Sequence, residues 1–338
     1  MVNIIQMVSR SGSQGGLFKD DSTINPGFRQ THQQLQRLIQ QYLNQRVLCD
    51  RLEDLPRQFQ VAQPRPWRPI HWKSIDASQI VGIDPLIFIA ILAGAADTEH
   101  PIRDYTQTSR QYLAPLHPAM AKFVGGTTDA QGTLLEPGLW EKEERQHSPA
   151  LQKLYTQFTG LKLRVVPHEA RSYQPFANPE LDLYHHGLHR IATEYGATCL
   201  YLWLTAHSVG QLRAVFEELL IDEINHMTKF WGYGRWAYPS VSCFNLLNAL
   251  LSKALTKIWH REASSLLHTL RRMTQVLHWE AWSFKHKATF LWTLILSLQQ
   301  MYQWSHSLSP EYLESLFGRP HQSEAQAPSE AQDPKFRS

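Results

Sequence analysis

Two Glu-x-x-His patterns stand out in the chain: Glu144-Arg-Gln-His147 and Glu223-Ile-Asn-His226. A carboxylate and an imidazole three residues apart share one face of a helix. Together they form a two-toothed ligand for a divalent transition metal. Either pair alone is a weak signal in a chain with 17 histidines, but the faces they occupy are informative. Around the first pair the stripe runs Trp140, Glu144, His147, Leu151, Leu154, Phe158; around the second it runs Leu212, Phe216, Leu219, Glu223, His226, Phe230. Ionisable groups on an apolar stripe are costly unless they are paired or bind metal.

Two further segments each interrupt an apolar stripe with one carboxylate. Glu99 falls among Phe88, Leu92, Ala95 and Ile102, and Glu194 among Tyr184, Leu188, Ile191, Thr198 and Tyr201. The order along the chain is therefore Glu, Glu-x-x-His, Glu, Glu-x-x-His. Helical bundles that hold two irons need this inventory. Four carboxylates balance the charge of two divalent ions, and two imidazoles add neutral donors. The other reading of the same residues is a set of core charges paired with one another or with Arg.

Four helical segments must position these groups: 85–107, 138–159, 179–207 and 211–230, which make a core bundle over about 85–232. The pattern predicts an all-α, ferritin-like four-helix bundle with flanking helices, in a single domain over 28–316. An amphipathic helix is expected over 28–48, with Leu35, Leu38, Ile39 and Tyr42 at helical spacing. A Pro- and Trp-rich connector over 56–75 excludes a regular helix, and more helices are expected over 243–260, 262–278 and 280–308. Residues 1–27 and 317–338 read as disordered ends, being polar and poor in core formers.

Bulk properties bound the rest. The chain has 338 residues, 43% of them hydrophobic, and a formal net charge of +3. That is ample for a core, and it gives no support for nucleic-acid binding. Three cysteines without paired spacing (Cys49, Cys199, Cys243) suggest neither a disulfide framework nor a zinc site. The most apolar runs, 288–298 and 197–206, are about half of what a spanning helix needs. A soluble, cytoplasmic protein is expected.

The ligand segments resemble those of the soluble plant-type acyl-acyl-carrier-protein desaturases. Thr98-Glu99-His100-Pro101-Ile102-Arg103-Asp104-Tyr105 is similar to their Thr-Glu-Glu-Ala-Leu-Pro-Thr-Tyr. Trp140-Glu141-Lys142-Glu143-Glu144-Arg145-Gln146-His147 is similar to Trp-Thr-Ala-Glu-Glu-Asn-Arg-His. Glu194-Tyr195-Gly196-Ala197-Thr198 resembles Glu-Arg-Ala-Thr, and Asp222-Glu223-Ile224-Asn225-His226 resembles Asp-Glu-Lys-Arg-His. The likeness covers roughly 87–230 and is densest at the ligands. It departs at the family's threonine, which aligns with Ala197 so that Thr198 falls one position later, and at Pro149.

The resemblance implies Glu99 and Glu194 as single-carboxylate ligands, Glu144 and Glu223 as bridging or chelating ones, and His147 and His226 as imidazole ligands. Asp222 and Trp140 match positions that support the ligands, and Thr198, one position past the family's O2-side threonine, is a further candidate for such support. It further implies two irons, O2 as co-substrate, and desaturation or hydroxylation of an acyl chain on acyl carrier protein. A ferredoxin-like electron donor and a homodimer follow from the same likeness. The alternative is a ferritin-like, iron-oxidising protein without an organic substrate, although no acidic string leads to the ligands. Basic residues between Lys253 and Lys287 offer a face for an acidic carrier or donor, or simply a solvated surface. His185, His186 and His189 lack a carboxylate or thiol partner, so a second metal site there is not expected. No Gly-rich phosphate loop or nucleophile motif is present.

Overall fold

The computed structural model describes residues 26–165, 179–238, 274 and 277–319, and the side chains of these except 26–29, 179–186 and 188–189. The expected helices over 243–260 and most of 262–278, the basic residues from Lys253 to Arg272, and both terminal segments up to 25 and from 320 lie outside those residues, as do the side chains of His185, His186 and His189. Among the described residues the fold is all-α apart from one small hairpin. No helix among the described residues is long and apolar enough to cross a membrane.

Helices α1 (Pro26–Tyr42), α2 (Gln45–Glu53) and α3 (Leu55–Gln60) occupy the start of the chain. The single helix expected over 28–48 is thus two. Asn44 divides them, because its amide nitrogen donates to the Gln40 and Gln41 carbonyls while its Oδ1 caps Val47 N–H. The connector also holds more helix than its prolines suggest. Pro56 sits in the first turn of α3, where its missing N–H costs nothing.

α4 (Pro85–Glu99) begins at Asp84, whose side chain accepts from Leu86 N–H. Buried residues on every side of α4 make it a core helix. The continuous segment expected over 85–107 breaks here: α5 (Ile102–Leu113) starts anew because Pro101 has no N–H for the Asp97 carbonyl. The stretch between α5 and the second ligand segment forms α6 (Pro118–Gly125) and the antiparallel pair β1 (Thr127–Thr128) and β2 (Leu134–Glu136). Gly138 lets the chain turn into α7 (Leu139–Glu144), since a Cβ there would come within 2.5 Å of the Phe123 and Val124 carbonyl oxygens.

The second ligand segment is likewise divided, into α7 and α8 (His147–Thr159). Pro149 offers no N–H to the Arg145 carbonyl and crowds it, so the helix breaks at Arg145–Gln146. The long helices α9 (Pro179–Ala206) and α10 (Gly210–Ala237) pack along each other, and α4 packs along α8. The turn between α9 and α10 is tied down by an antiparallel bridge between Ile80 and Ser208. α11 (Phe284–Ser305), which falls within the expected 280–308, lies against α9, and α12 (Pro310–Phe317) lies against α10. One buried core runs through these helices, with Phe88 on α4 meeting Phe216 on α10 edge-on at 5.6 Å.

Candidate metal centre

All six carboxylate and imidazole residues singled out in the sequence meet at one place inside the fold. Glu99 ends α4, Glu144 ends α7 and His147 opens α8. Glu194 lies within α9, and Glu223 and His226 lie within α10. Glu99, Glu144, His147 and Glu223 form one group whose ligand atoms all lie within 4.8 Å of one another. Glu144, Glu194, Glu223 and His226 form a second group on the same measure. Glu144 and Glu223 belong to both, so the arrangement is two four-residue sites sharing two carboxylates. Every member is buried except Glu99, which is half-buried.

His147 Nδ1 lies 3.1 Å from both Glu144 Oε2 and Glu223 Oε1. His226 Nδ1 lies 2.8 Å from Glu144 Oε1 and 3.7 Å from Glu194 Oε2. None of these contacts has hydrogen-bond geometry: His147 Nδ1, His226 Nδ1, Glu194 Oε2 and Glu223 Oε1 are buried atoms without a hydrogen-bond partner. Buried polar atoms are normally satisfied, and four orphans divided between two overlapping groups are what a cation-binding cavity provides. The donor set, hard oxygens with borderline imidazole nitrogens, suits divalent first-row transition metals. The buried cluster can therefore hold metal.

The outer edges of the imidazoles are occupied. His226 Nε2–H donates to Glu143 Oε2 at 2.9 Å, and His147 Nε2–H to Asp222 Oδ2 at 3.4 Å. A carboxylate on the outer nitrogen fixes the tautomer and leaves Nδ1 free to ligate. Trp67 Nε1 donates to Asp222 Oδ2 at 2.7 Å, and Asp222 also accepts from Arg65. Trp140 Nε1 donates to Glu144 Oε1 at 2.9 Å, and the Tyr201 hydroxyl to Glu99 Oε1 at 3.0 Å. Asp222 and Trp140 therefore touch the cluster residues directly. Thr198, one turn beyond Glu194, is fully buried with its hydroxyl lacking a hydrogen-bond partner among the described residues.

Charge crowding shapes the titration of the cluster. Burial, and then the neighbouring Glu144, push Glu99 up to about 8 and Glu194 up to about 7. Burial and Glu144 also hold Glu223 well above the usual carboxylate range. Burial alone would raise Glu144 too, but His147 and His226 outweigh it and hold that carboxyl well below the ordinary value. The imidazoles respond in kind. Burial disfavours their charge, yet Glu144 with Asp222 raises His147, and Glu144 with Glu143 raises His226.

Four contributors were missed in the sequence as site residues. Glu143 carried a legible signal: an acid directly precedes each shared glutamate, Glu143 before Glu144 and Asp222 before Glu223. Each of these acids holds the histidine of the other motif. Tyr201 looked like one more residue of an apolar stripe. Arg65 and Trp67 stand in the proline-rich connector, where no periodicity marks them. Neither a family model, nor a curated protein, nor a solved structure matches this chain.

Proposed function

We propose that the protein is an O2-dependent enzyme with two irons, held by Glu99, Glu144, His147, Glu194, Glu223 and His226 in a ferritin-like four-helix bundle. The observation that carries this reading is the pair of overlapping four-residue groups, in which His147 Nδ1, His226 Nδ1, Glu194 Oε2 and Glu223 Oε1 are buried without a hydrogen-bond partner. Glu144 and Glu223, which belong to both groups, would serve both metal positions, with His147 and Glu99 completing one and His226 and Glu194 the other. What a bound iron pair supplies is reduction of O2 and removal of hydrogen from an unactivated C–H bond, which no side chain here performs. The chain's own share is positional. Asp222 and Glu143 keep the outer imidazole nitrogens protonated so that both Nδ1 atoms point inward. Trp140 fixes one oxygen of Glu144, and Tyr201 fixes one oxygen of Glu99. The rings of Phe216, Phe230 and Trp140 pack beside these groups and keep water away from the reacting centre.

The substrate we propose is a fatty acyl chain carried on acyl carrier protein, with a ferredoxin-type electron donor, in a soluble cytoplasmic homodimer. Support for these finer points comes from the likeness of the four ligand segments to the acyl-carrier-protein desaturases. Iron-loaded protein, a reduced ferredoxin and acyl carrier substrates of several chain lengths, analysed by product mass, test the reading. An acyl product two hydrogens lighter, or one oxygen heavier, is expected. Oxygen consumption with every acyl chain unchanged would overturn the substrate assignment and favour the iron-oxidising alternative.

A further inference from the structure

The chain between α3 and α4 crosses over α7 and α10, and one residue in it reaches the carboxylates behind both histidines. The main-chain N–H of Arg65 donates to Glu143 Oε1 at 3.0 Å. Its guanidinium donates to Asp222 Oδ1 twice, through Nε at 2.9 Å and Nη2 at 2.8 Å. Glu143 accepts from His226 and Asp222 from His147. Nη2 also donates to the Glu218 carbonyl at 2.9 Å, and Nη1 to the Glu218 carboxylate. Both carboxylate side chains that grip the guanidinium are fully buried. Arg65 lies between Pro64 and Pro66. Neither proline has an N–H, and Pro66 biases Arg65 towards extended backbone. The one main-chain donor in the tripeptide is thus the one that meets Glu143.

We propose that Arg65 is a positioning residue that sets the orientation of both metal-binding histidines through two separable links. The guanidinium acts on His147 through Asp222, and the main-chain N–H acts on His226 through Glu143. The inference rests on the two-metal reading and adds to it an asymmetry: the links are chemically different, so they can be cut one at a time. R65M removes the fork and keeps the N–H. R65P removes both, in a segment that its flanking prolines already bias towards extended backbone. Loss of an outer carboxylate's alignment typically weakens metal binding about 10- to 100-fold.

Stepwise titration of the metal-free full-length protein with Mn(II) and with Co(II), with thermal unfolding followed in parallel, tests this. Wild type is expected to bind two ions. R65M should weaken one of them about 10- to 100-fold and spare the other, whereas R65P should weaken both. R65M combined with D222N should cost no more than D222N alone, while R65M combined with E143Q should cost the sum of the two single losses. A residue that merely stabilised the fold would weaken both ions together and show neither pattern. Unchanged affinities in R65M, equal loss at both positions, or additivity with D222N would overturn the inference. If R65M does not fold, R65K, which keeps the charge without the fork, carries the same one-site expectation, and unchanged affinities there overturn it equally. Fewer than two ions bound by wild type would instead remove the two-metal reading, and this inference with it.

Discussion

Buried carboxylates that face one another need counter-charge, and in the metal-free protein that counter-charge is protons. Glu99 at about 8 and Glu194 at about 7 both stand above their ordinary 4.5. A carboxyl raised in the folded state binds its proton more tightly there than in the unfolded chain. Its contribution to stability is full below about 4.5, declines as pH rises, and is gone above the folded value. The metal-free E99Q variant, which cannot lose that proton, should therefore gain on metal-free wild type between pH 5 and pH 8. We expect a difference in Tm that grows by about 5 °C across that range, and a constant difference would contradict the assignment. His207 gives a control of opposite sign away from the cluster. Its ring is buried and donates from Nδ1 to the Val81 carbonyl, and burial lowers it to about 4. Its contribution is intact above 6.5 and is lost as pH falls towards 4. Metal binding must displace the protons on Glu99 and Glu194, so uptake should tighten as pH rises through 7 to 8.

At the scale of elements, the ligand segments were legible because a helix repeats its face, and an acid interrupting an apolar stripe shows through. The breaks inside those segments were legible only in part. Pro101 and Pro149 are visible in the sequence, but where each break falls depends on which carbonyl loses its partner. The breaks matter for the site: Glu99 and Glu144 each occupy a helix C-terminus, and His147 opens the next helix. The short elements at the end of the structure depend on one residue that sequence reading passed over. His117 accepts from Met120 N–H through Nδ1, capping α6, and donates from Nε2 to the Phe317 carbonyl at the end of α12. Its ring also meets Tyr233, Trp236 and Phe317 edge-on. H117A removes a cap, an inter-helix bond and three edge-on aromatic contacts at once. It should cost about 2 kcal/mol or more in urea unfolding; a loss under about 0.5 kcal/mol would show that α12 is held by its apolar contacts alone.

Across the whole molecule, what sequence reading could not reach is what comes from far along the chain. Arg65 and Trp67 meet Asp222 across separations of 157 and 155 residues. Nothing local marks a connector arginine as belonging to a site built 150 residues later; only folding brings the two together. The all-α architecture, by contrast, followed from periodicity, because the core helices bury what their stripes announce. The six-residue cluster gathers four helical regions into one place, so it joins the fold to the chemistry and supports both readings together. Its most direct test is the metal content of full-length protein purified without oxygen and loaded with ferrous iron, measured beside E144A/E223A. Two irons per chain in wild type and none in the double variant are predicted, because those two glutamates are shared by both positions. A single ion, or equal iron in the two proteins, would contradict a paired centre and return the six residues to the status of core charges.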